Sequence, residues 1–308
     1  MTEALDDVSL YDRGTLGNLY YLAAESSFEL EEYDASITFY ERAIMCNTAN
    51  VEYYCNYAIA LSRMGRTDTA LDIIEEATRS GVAEDQIYLM RGELQMAQMN
   101  LTEAVKSFRA CIACTNDEYV LARAYVKCSD AFAQTIGYTA DSGLVSQNVQ
   151  LLTEASQAVV DSYKPLILER LIEADCLLSD LTGDNLYKKY AIAEIQKMIG
   201  LGWGTFDMHL NLALLYDDVG MYAESDEIYQ QMLKNFGENY QIYKRMAFLE
   251  LEVQGKNVVE MRNYDEFERI YQRACELFDA TGMRKDQDTE MQLLEESYNT
   301  LISGGWFG

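Results

Sequence analysis

Residues of matching size recur in this sequence at a fixed spacing of 34 positions. Three consecutive stretches carry a small residue at the same place, namely Ser36, Ala70 and Ala104. An aromatic residue precedes each of these at a constant distance, namely Tyr20, Tyr54 and Tyr88. A chain that repeats in this way is predicted to fold as a row of similar units, because each unit buries its apolar side on its neighbours.

Each repeat carries two stretches of helical pattern with a short break between them. In residues 52–78 and 208–232 the break falls at Gly65 and at Gly220, and glycine commonly ends a helix because it accepts left-handed backbone angles. The chain has a single proline, Pro165, and it is rich in Ala, Leu, Glu and Met, which favour helices. These features argue against a turn-rich β fold, and the sequence predicts an all-α chain.

The spacing and the residue types resemble the tetratricopeptide repeat family, whose 34-residue unit is a helix-turn-helix. The second unit supplies the residue sizes that this family requires, namely Tyr54, Ala58, Ala70, Ile74 and Ala77. The resemblance implies a right-handed α-solenoid of about seven such units with a C-terminal capping helix. We expect one superhelix over residues 1–308, with units at about 17–50, 51–84, 85–118, 119–160, 165–200, 206–239 and 240–280 and a cap at 286–302.

The fourth and seventh units depart from the regular pattern. The fourth is expected to have helices at 119–136 and 144–160, joined by a connection longer than the turn of the family, and the seventh has an insertion at 255–263. The long fourth unit and the C-terminal sequence LISGGWFG resemble repeat regions attached to serine/threonine kinases of Gram-positive anaerobic bacteria. The sequence has no glycine-rich phosphate loop and no HRD or DFG triplet, so this narrower resemblance implies a bacterial accessory region rather than a kinase.

The formal net charge of −27, from 51 acidic and 24 basic side chains, constrains the partners of the chain. Phosphate backbones are bound by Lys and Arg, so an acidic surface of this size would repel nucleic acid and anionic membranes. No apolar run is long enough to span a membrane. We therefore expect a protein or peptide partner, of basic or mixed charge and extended in shape, with no nucleic acid and no membrane insertion.

The residues that usually carry catalysis or bind metals are scarce. His209 is the only histidine and falls where the family places a bulky packing residue, so a two-histidine metal site and most catalytic triads are excluded. Cys111 and Cys114 form a C-x-x-C without a second pair, and we expect buried packing thiols. The chain is predicted to be no enzyme and to hold no cofactor or metal. Its seven cysteines, irregularly spaced, are predicted to stay reduced in a cytoplasmic compartment.

The candidate binding residues lie at the sixth position of the first helix of a unit, which faces the concave groove in the resembled family. Asn56 and Asn211 occupy this position in the second and sixth units. In that family an asparagine here often holds an extended peptide by its backbone, because the amide can both donate and accept a hydrogen bond. The alternative is that both are exposed polar residues without a ligand.

Four further residues complete the predicted groove. Tyr21 and Tyr57 offer rigid amphipathic rings that make good anchors, while Gln241 and Arg245 accompany Asn211 in the next unit. Arg245 is expected to contact an acidic side chain or a carboxylate of the partner.

The sequence thus predicts a non-catalytic scaffold that binds a protein or peptide in the concave groove. One alternative is a regulatory or sensor region of a larger signalling protein, such as a serine/threonine kinase. Another is a self-assembling module, in which the aromatic tail Trp306-Phe307 docks into a second copy. The identity of the partner and the oligomeric state stay open.

Overall fold

The structure, a computed structural model, describes residues 12–82 and 84–306. Phe307 of the predicted aromatic tail lies outside these residues. All regular elements in the described ranges are helical, and no strand occurs there. The contacts divide the chain into two compact units, residues 1–174 and 175–308. The single superhelix over the whole chain stays a prediction.

The first compact unit contains four helix pairs and the start of α9. Its helices are α1 (Arg13–Glu29), α2 (Tyr33–Cys46), α3 (Val51–Arg63), α4 (Thr67–Arg79), α5 (Glu84–Ala97), α6 (Leu101–Cys114), α7 (Glu118–Thr139), α8 (Ser142–Ala158) and α9 (Lys164–Thr182). Each odd-numbered helix packs against the next even one, from α1 with α2 to α7 with α8. In addition α3 contacts α5 and α5 contacts α7, so the first helices of successive pairs lie side by side.

The second compact unit takes the end of α9 and the remaining helices. These are α10 (Leu186–Gly200), α11 (Phe206–Asp218), α12 (Tyr222–Phe236), α13 (Tyr240–Lys256), α14 (Asp265–Ala280) and α15 (Thr289–Ser303). Here α11 pairs with α12 and α13 with α14, and α15 packs on both α13 and α14. The predicted capping helix is therefore present, and it begins at Thr289 rather than at 286.

Small residues allow the two helices of a pair to approach closely, as the repeat pattern predicts. Ala58 and Ala70 are fully buried between α3 and α4. Ser36 is buried too, and its hydroxyl donates to the carbonyl of Ala24 at 3.0 Å. At Gly92 the fit is so close that a Cβ would lie 2.5 Å from the Phe108 ring. Packing between the helices of a pair therefore sets the sizes that recur in the sequence.

The turns inside the pairs repeat with the same spacing as the helices. Gly65 and Gly220 have φ of +74° and +78°, which confirms the predicted breaks. Glu31 and Met99 lie one repeat before and one repeat after Gly65, and they adopt the same left-handed angles at 61° and 60°. The turn geometry is thus kept even where glycine is absent, although the backbone of any residue other than glycine is strained at these angles.

The connection predicted in the fourth unit is wrong. α7 continues to Thr139, and only Ala140 and Asp141 separate it from α8. Ala140 ends α7 in the left-handed conformation, and the Asp141 side chain accepts from the Gly143 N–H at 2.7 Å to cap α8. The extra residues therefore lengthen the helices instead of forming a loop.

Candidate functional site

The first helices α3, α5 and α7 line an open concavity of about 560 Å³. Its side chains come from matching positions of successive repeats: Glu52, Cys55, Asn56 and Ile59 on α3, Gln86, Leu89, Met90 and Glu93 on α5, and Val120 and Arg123 on α7. Residues spaced three, four and seven apart share one face of a helix. The repeat therefore turns the same face of each first helix toward the concavity.

Asn56 lies in this concavity, as the sequence predicts. Its Nδ2 donates a hydrogen bond to the hydroxyl of Tyr21 in α1, and that hydroxyl donates to Glu52 Oε1 at 3.3 Å. The Tyr21 ring stacks on Tyr53 with 5.2 Å between centroids. The amide of Asn56 is thus oriented, and its carbonyl oxygen and second N–H make no hydrogen bond to any residue that the structure describes.

The hydroxyl of Tyr21 stays protonated at physiological pH. Burial raises the pKa of Tyr21 to about 12, and the carboxylates of Glu25 and Glu52 add to the effect. The hydroxyl therefore keeps its proton for Glu52 and a lone pair for Asn56. This short chain of hydrogen bonds is uncharged except at its carboxylate end.

The concavity carries more negative than positive charge. Arg123 pairs with Glu93 across α5 and α7 at 2.7 Å, so its charge is largely compensated. Glu52 has no cationic partner among the described residues, and Asp117 adds a further carboxylate while capping α7 through the Val120 N–H at 2.9 Å. A positively charged group would therefore be stabilised here.

The floor of the concavity is apolar. Leu89 and Met90 are nearly buried, and Ile59 and Cys55 are half-buried beside them. Burial raises the pKa of the Cys55 thiol to about 12, with the Glu93 carboxylate contributing. The thiol stays protonated and behaves as a small apolar surface rather than as a nucleophile.

Tyr57 is not a groove residue, in contrast to the prediction. It is 3% exposed, and its ring stacks on Tyr40 at 5.2 Å in the core between the helices. Tyr57 lies one position beyond Asn56, and this step of about 100° turns it from the concavity to the partner helix. Tyr21 is half-buried at the edge of the same aromatic cluster.

The three predicted residues of the second compact unit have different surroundings, and a shared site stays a prediction. Asn211 on α11 is exposed, and Gln241 is half-buried at the start of α13, where its N–H donates to Asn239 Oδ1 at 2.8 Å. Arg245 is already paired with the carboxylate of Glu290 in α15 at 2.7 Å. The acidic partner expected for Arg245 is thus supplied by the chain itself.

Lys244 and Glu290 complete this arrangement, and sequence reasoning missed both. Lys244 is 7% exposed and pairs with Asp288 at 2.8 Å and with Glu290 at 2.9 Å. The two ion pairs hold the start of α15 against α13. The pKa of Asp288 is lowered, because hydrogen bonds from Lys244 and from two N–H groups of α15 outweigh its burial.

His209, Cys111 and Cys114, the candidates for catalysis or metal binding, make contacts that stabilise the fold. His209 is 6% exposed, with Nδ1 2.8 Å from the carbonyl oxygen of Thr205 and its ring against Phe236. Cys111 is buried as expected, whereas Cys114 is exposed and donates to the carbonyl of Cys111 at 3.5 Å. The described residues contain no group of three His, Cys, Asp or Glu side chains arranged for a metal ion. Over the same ranges, every helix is too short or too polar to cross a lipid bilayer.

The comparisons with known proteins agree with the repeat pattern. Two family models of the tetratricopeptide repeat match residues 17–48 and 39–72. A solved structure of the C-terminal part of a TPR repeat-containing protein from Cytophaga hutchinsonii is similar, at 12% identity over 83% of this chain and 95% of that one with a TM-score of 0.56. Pseudomonas aeruginosa pilF is similar at 9% identity over 77% of this chain and 100% of that one with a TM-score of 0.47.

A comparison with curated proteins finds no significant match. The identity to the solved structures is low, so they bear on the fold alone. Together with the family models, the likeness to the Cytophaga hutchinsonii structure confirms the predicted all-α solenoid of helix-turn-helix repeats.

Proposed function

We propose that this tetratricopeptide-repeat protein binds an extended segment of a partner protein in the concavity of α3, α5 and α7, and that it catalyses no reaction. The observation that carries the proposal is the oriented amide of Asn56. Its carbonyl oxygen and one N–H have no partner in the described part of the chain and can pair with a peptide backbone, while Tyr21 holds the group in place. Backbone pairing of this kind gives affinity with little demand on the partner's sequence.

The walls of the concavity supply selectivity. The floor of Ile59, Leu89 and Met90 would bury an apolar side chain of the partner, and this burial favours binding. The carboxylate of Glu52 lines the concavity without a cationic partner in residues 12–82 and 84–306, and it would pair with a lysine or arginine of the ligand. The preferred ligand is therefore an extended segment in which a basic residue accompanies an apolar one.

The proposal is tested with a displayed library of random peptides about 12 residues long, which is enough to cross neighbouring repeats in extended form. Enriched peptides are synthesised, and their affinity is measured by calorimetry. Replacement Asn56→Ala is expected to weaken binding about ten-fold, the value of one or two lost hydrogen bonds. Glu52→Gln is expected to lower the affinity of the basic peptides among them and to leave the affinity of the neutral ones unchanged.

The matched control is Asn100→Ala, because Asn100 is exposed in the turn before α6 and its side chain caps no N–H of that helix. Circular dichroism melting verifies that each variant is folded. If the selected peptides bind the Asn56→Ala variant as tightly as they bind the unaltered chain, the concavity is not the binding site.

The second compact unit offers another candidate around Asn211, which is exposed on α11. Binding there would have to proceed without Arg245, or displace Glu290 from it. Peptides that lose affinity for Asn211→Ala and keep it for Asn56→Ala would assign the function to this unit. In the alternative role of a regulatory region, the same concavity would bind a segment of the tethered signalling domain.

A further inference from the structure

α13 is longer than the first helices α3 and α11, and an insertion follows it. α13 has 17 residues where α3 and α11 have 13. Residues 257–264 then separate it from α14, in place of the short turn found in the other pairs. This insertion is part of neither the concavity of α3, α5 and α7 nor the repeat pattern.

The insertion has a defined shape. Arg262 donates from Nε to the carbonyl of Asn257 and from Nη2 to the carbonyl of Gly255, both at 3.0 Å. The N–H of Asn263 donates to Gln254 Oε1 at 3.0 Å. Both ends of the segment are thereby tied to the last turn of α13. Polar bonds rather than apolar burial hold its backbone.

This segment displays its apolar side chains to solvent. Val258 is 60% exposed, Val259 54% and Met261 74%. A single exposed apolar side chain is common on protein surfaces, but three within four residues form a patch. Since their burial is not what holds the insertion together, the side chains are available to another surface.

A cavity of about 420 Å³ opens between the helices that the insertion joins. Its walls belong to α12, α13 and α14, and neither Arg245 nor Lys256 lines it. Its floor is formed by the apolar side chains of Met246, Leu249, Val253 and Ile270. Three carboxylates, those of Asp226, Glu250 and Glu266, stand along its walls.

Two of these carboxylates are uncompensated. Asp226 accepts from the side chain of Gln230 and Glu250 from that of Gln254, and neither has a cationic partner within the described ranges. Glu266 is paired with Arg269. An apolar floor between unpaired carboxylates favours a ligand that carries a row of apolar side chains with basic side chains on both sides of it.

We propose that the α12–α14 cavity and the apolar insertion together form a docking surface for a basic amphipathic helix of a partner protein. Such a helix would place apolar side chains, one turn apart, on the cavity floor and against Val259 and Met261. Its lysines or arginines would pair with Asp226 and Glu250. A second copy of this chain is a poor occupant, because two molecules of net charge −27 repel each other.

The probe is a synthetic helical peptide of Leu and Lys, about 18 residues long so that it forms several turns, with a photoreactive group on its apolar face. Fluorescence anisotropy near physiological salt measures affinity, and mass spectrometry locates the cross-links. Asp226→Asn with Glu250→Gln, and separately Val259→Ser with Met261→Ser, are each expected to weaken binding about five-fold or more. Cross-links are expected within residues 222–270.

Controls remove two carboxylates and two exposed apolar side chains elsewhere. Asp72→Asn with Glu76→Gln neutralises two exposed carboxylates of α4, and Met45→Ser with Tyr138→Ser removes two exposed apolar side chains. Equal losses in these control variants would mean that only net charge or general hydrophobicity attracts the peptide, and would overturn the proposal. Cross-links confined to the concavity of α3, α5 and α7 would overturn it while leaving the proposed function intact. Binding to phosphatidylcholine vesicles, without binding to the peptide, would overturn it in favour of a lipid surface.

Discussion

The side-chain amide of Asn56 in α3 donates a hydrogen bond to the hydroxyl of Tyr21 in α1, so the central residue of the concavity is oriented by the preceding helix pair. The link spans 35 positions of sequence. The orientation of the Asn56 amide thus depends on how two repeats stack, and not on α3 alone.

Removing one oxygen tests this dependence. Tyr21→Phe keeps the ring on Tyr53 but deletes the hydroxyl, so Asn56 loses its fixed orientation while the fold is retained. We expect the affinity of selected peptides to fall about five-fold, in line with one hydrogen bond. Calorimetry measures the change. The control is Tyr138→Phe, at an exposed position of α7, and an effect of equal size in both variants would contradict the role of Tyr21.

Close packing at Gly92 predicts a large loss of stability on a small change. In Gly92→Ala the new methyl group would lie 2.5 Å from the Phe108 ring, so α5 and α6 would have to separate. We expect the free energy of unfolding to fall by about 1–3 kcal/mol, measured by urea titration. Gly137→Ala is the matched control, since nothing lies within 4 Å of its Cβ position and alanine favours the helix. A Gly92→Ala variant as stable as the unaltered chain would refute this account of the small-residue positions.

The left-handed turn residues predict a gain in stability. Met99 holds φ of 60° with its side chain 54% exposed, so Met99→Gly relieves backbone strain and gives up little packing. We expect a gain of about 0.5–1 kcal/mol in the free energy of unfolding. Gly65 is the equivalent residue of the preceding repeat and has open space around it, so Gly65→Ala should produce a loss of similar size. Changes of the same sign in the two variants would show that the turn geometry does not govern stability.

A buried carboxyl group predicts that stability depends on pH. Asp175 is 2% exposed, and its Oδ1 makes no hydrogen bond to the residues that the structure describes. Burial raises the pKa of Asp175 to about 7, with the Glu194 carboxylate contributing. The folded state therefore holds a proton that the unfolded state releases at a lower pH. The protonated carboxyl of Asp175 therefore contributes its full stability below the pKa that Asp175 has in the unfolded state. This contribution is lost as the pH rises through about 7.

Replacement by asparagine removes this titration. Asp175→Asn is expected to gain about 1–2 kcal/mol more at pH 8 than at pH 5, relative to the unaltered chain. Urea titrations at the two pH values measure the difference, and Asp72→Asn on the surface of α4 is the matched control. A constant difference between the Asp175→Asn variant and the unaltered chain across this range would contradict the raised pKa.

Most of the helical architecture could be predicted from the 34-residue period, because close packing within pairs imposes it on the sequence. The same period could have located more of the concavity. Cys55, Leu89 and Arg123 are one repeat apart and all line it, although none of them is an asparagine at the sixth position. Tyr57 was misplaced because clustered tyrosines do not by themselves reveal which face of a helix they occupy.

The contacts of Arg245 could not be read from the period. Its partner Glu290 lies 45 positions later, beyond the insertion after α13, so the regular spacing does not align the two residues. Docking of the aromatic tail into a second copy stays a prediction. Trp306 is half-buried, and its ring meets that of Tyr264, just before α14, edge to face with 5.6 Å between the ring centroids. Less of its ring is therefore available for docking into a second copy than the sequence suggested.

Two polar links join first helices beside the concavity of the first compact unit: Asn56 with Tyr21, and Arg123 with Glu93. Each link shortens or breaks as the spacing between neighbouring helices changes. Under the proposed function, the affinity for a ligand therefore depends on the spacing of the repeats. By reciprocity, a bound ligand would restrain the spacing of these helices. Under the proposed function, moving α1 away from α3 would break the bond between Tyr21 and Asn56 and so weaken ligand binding.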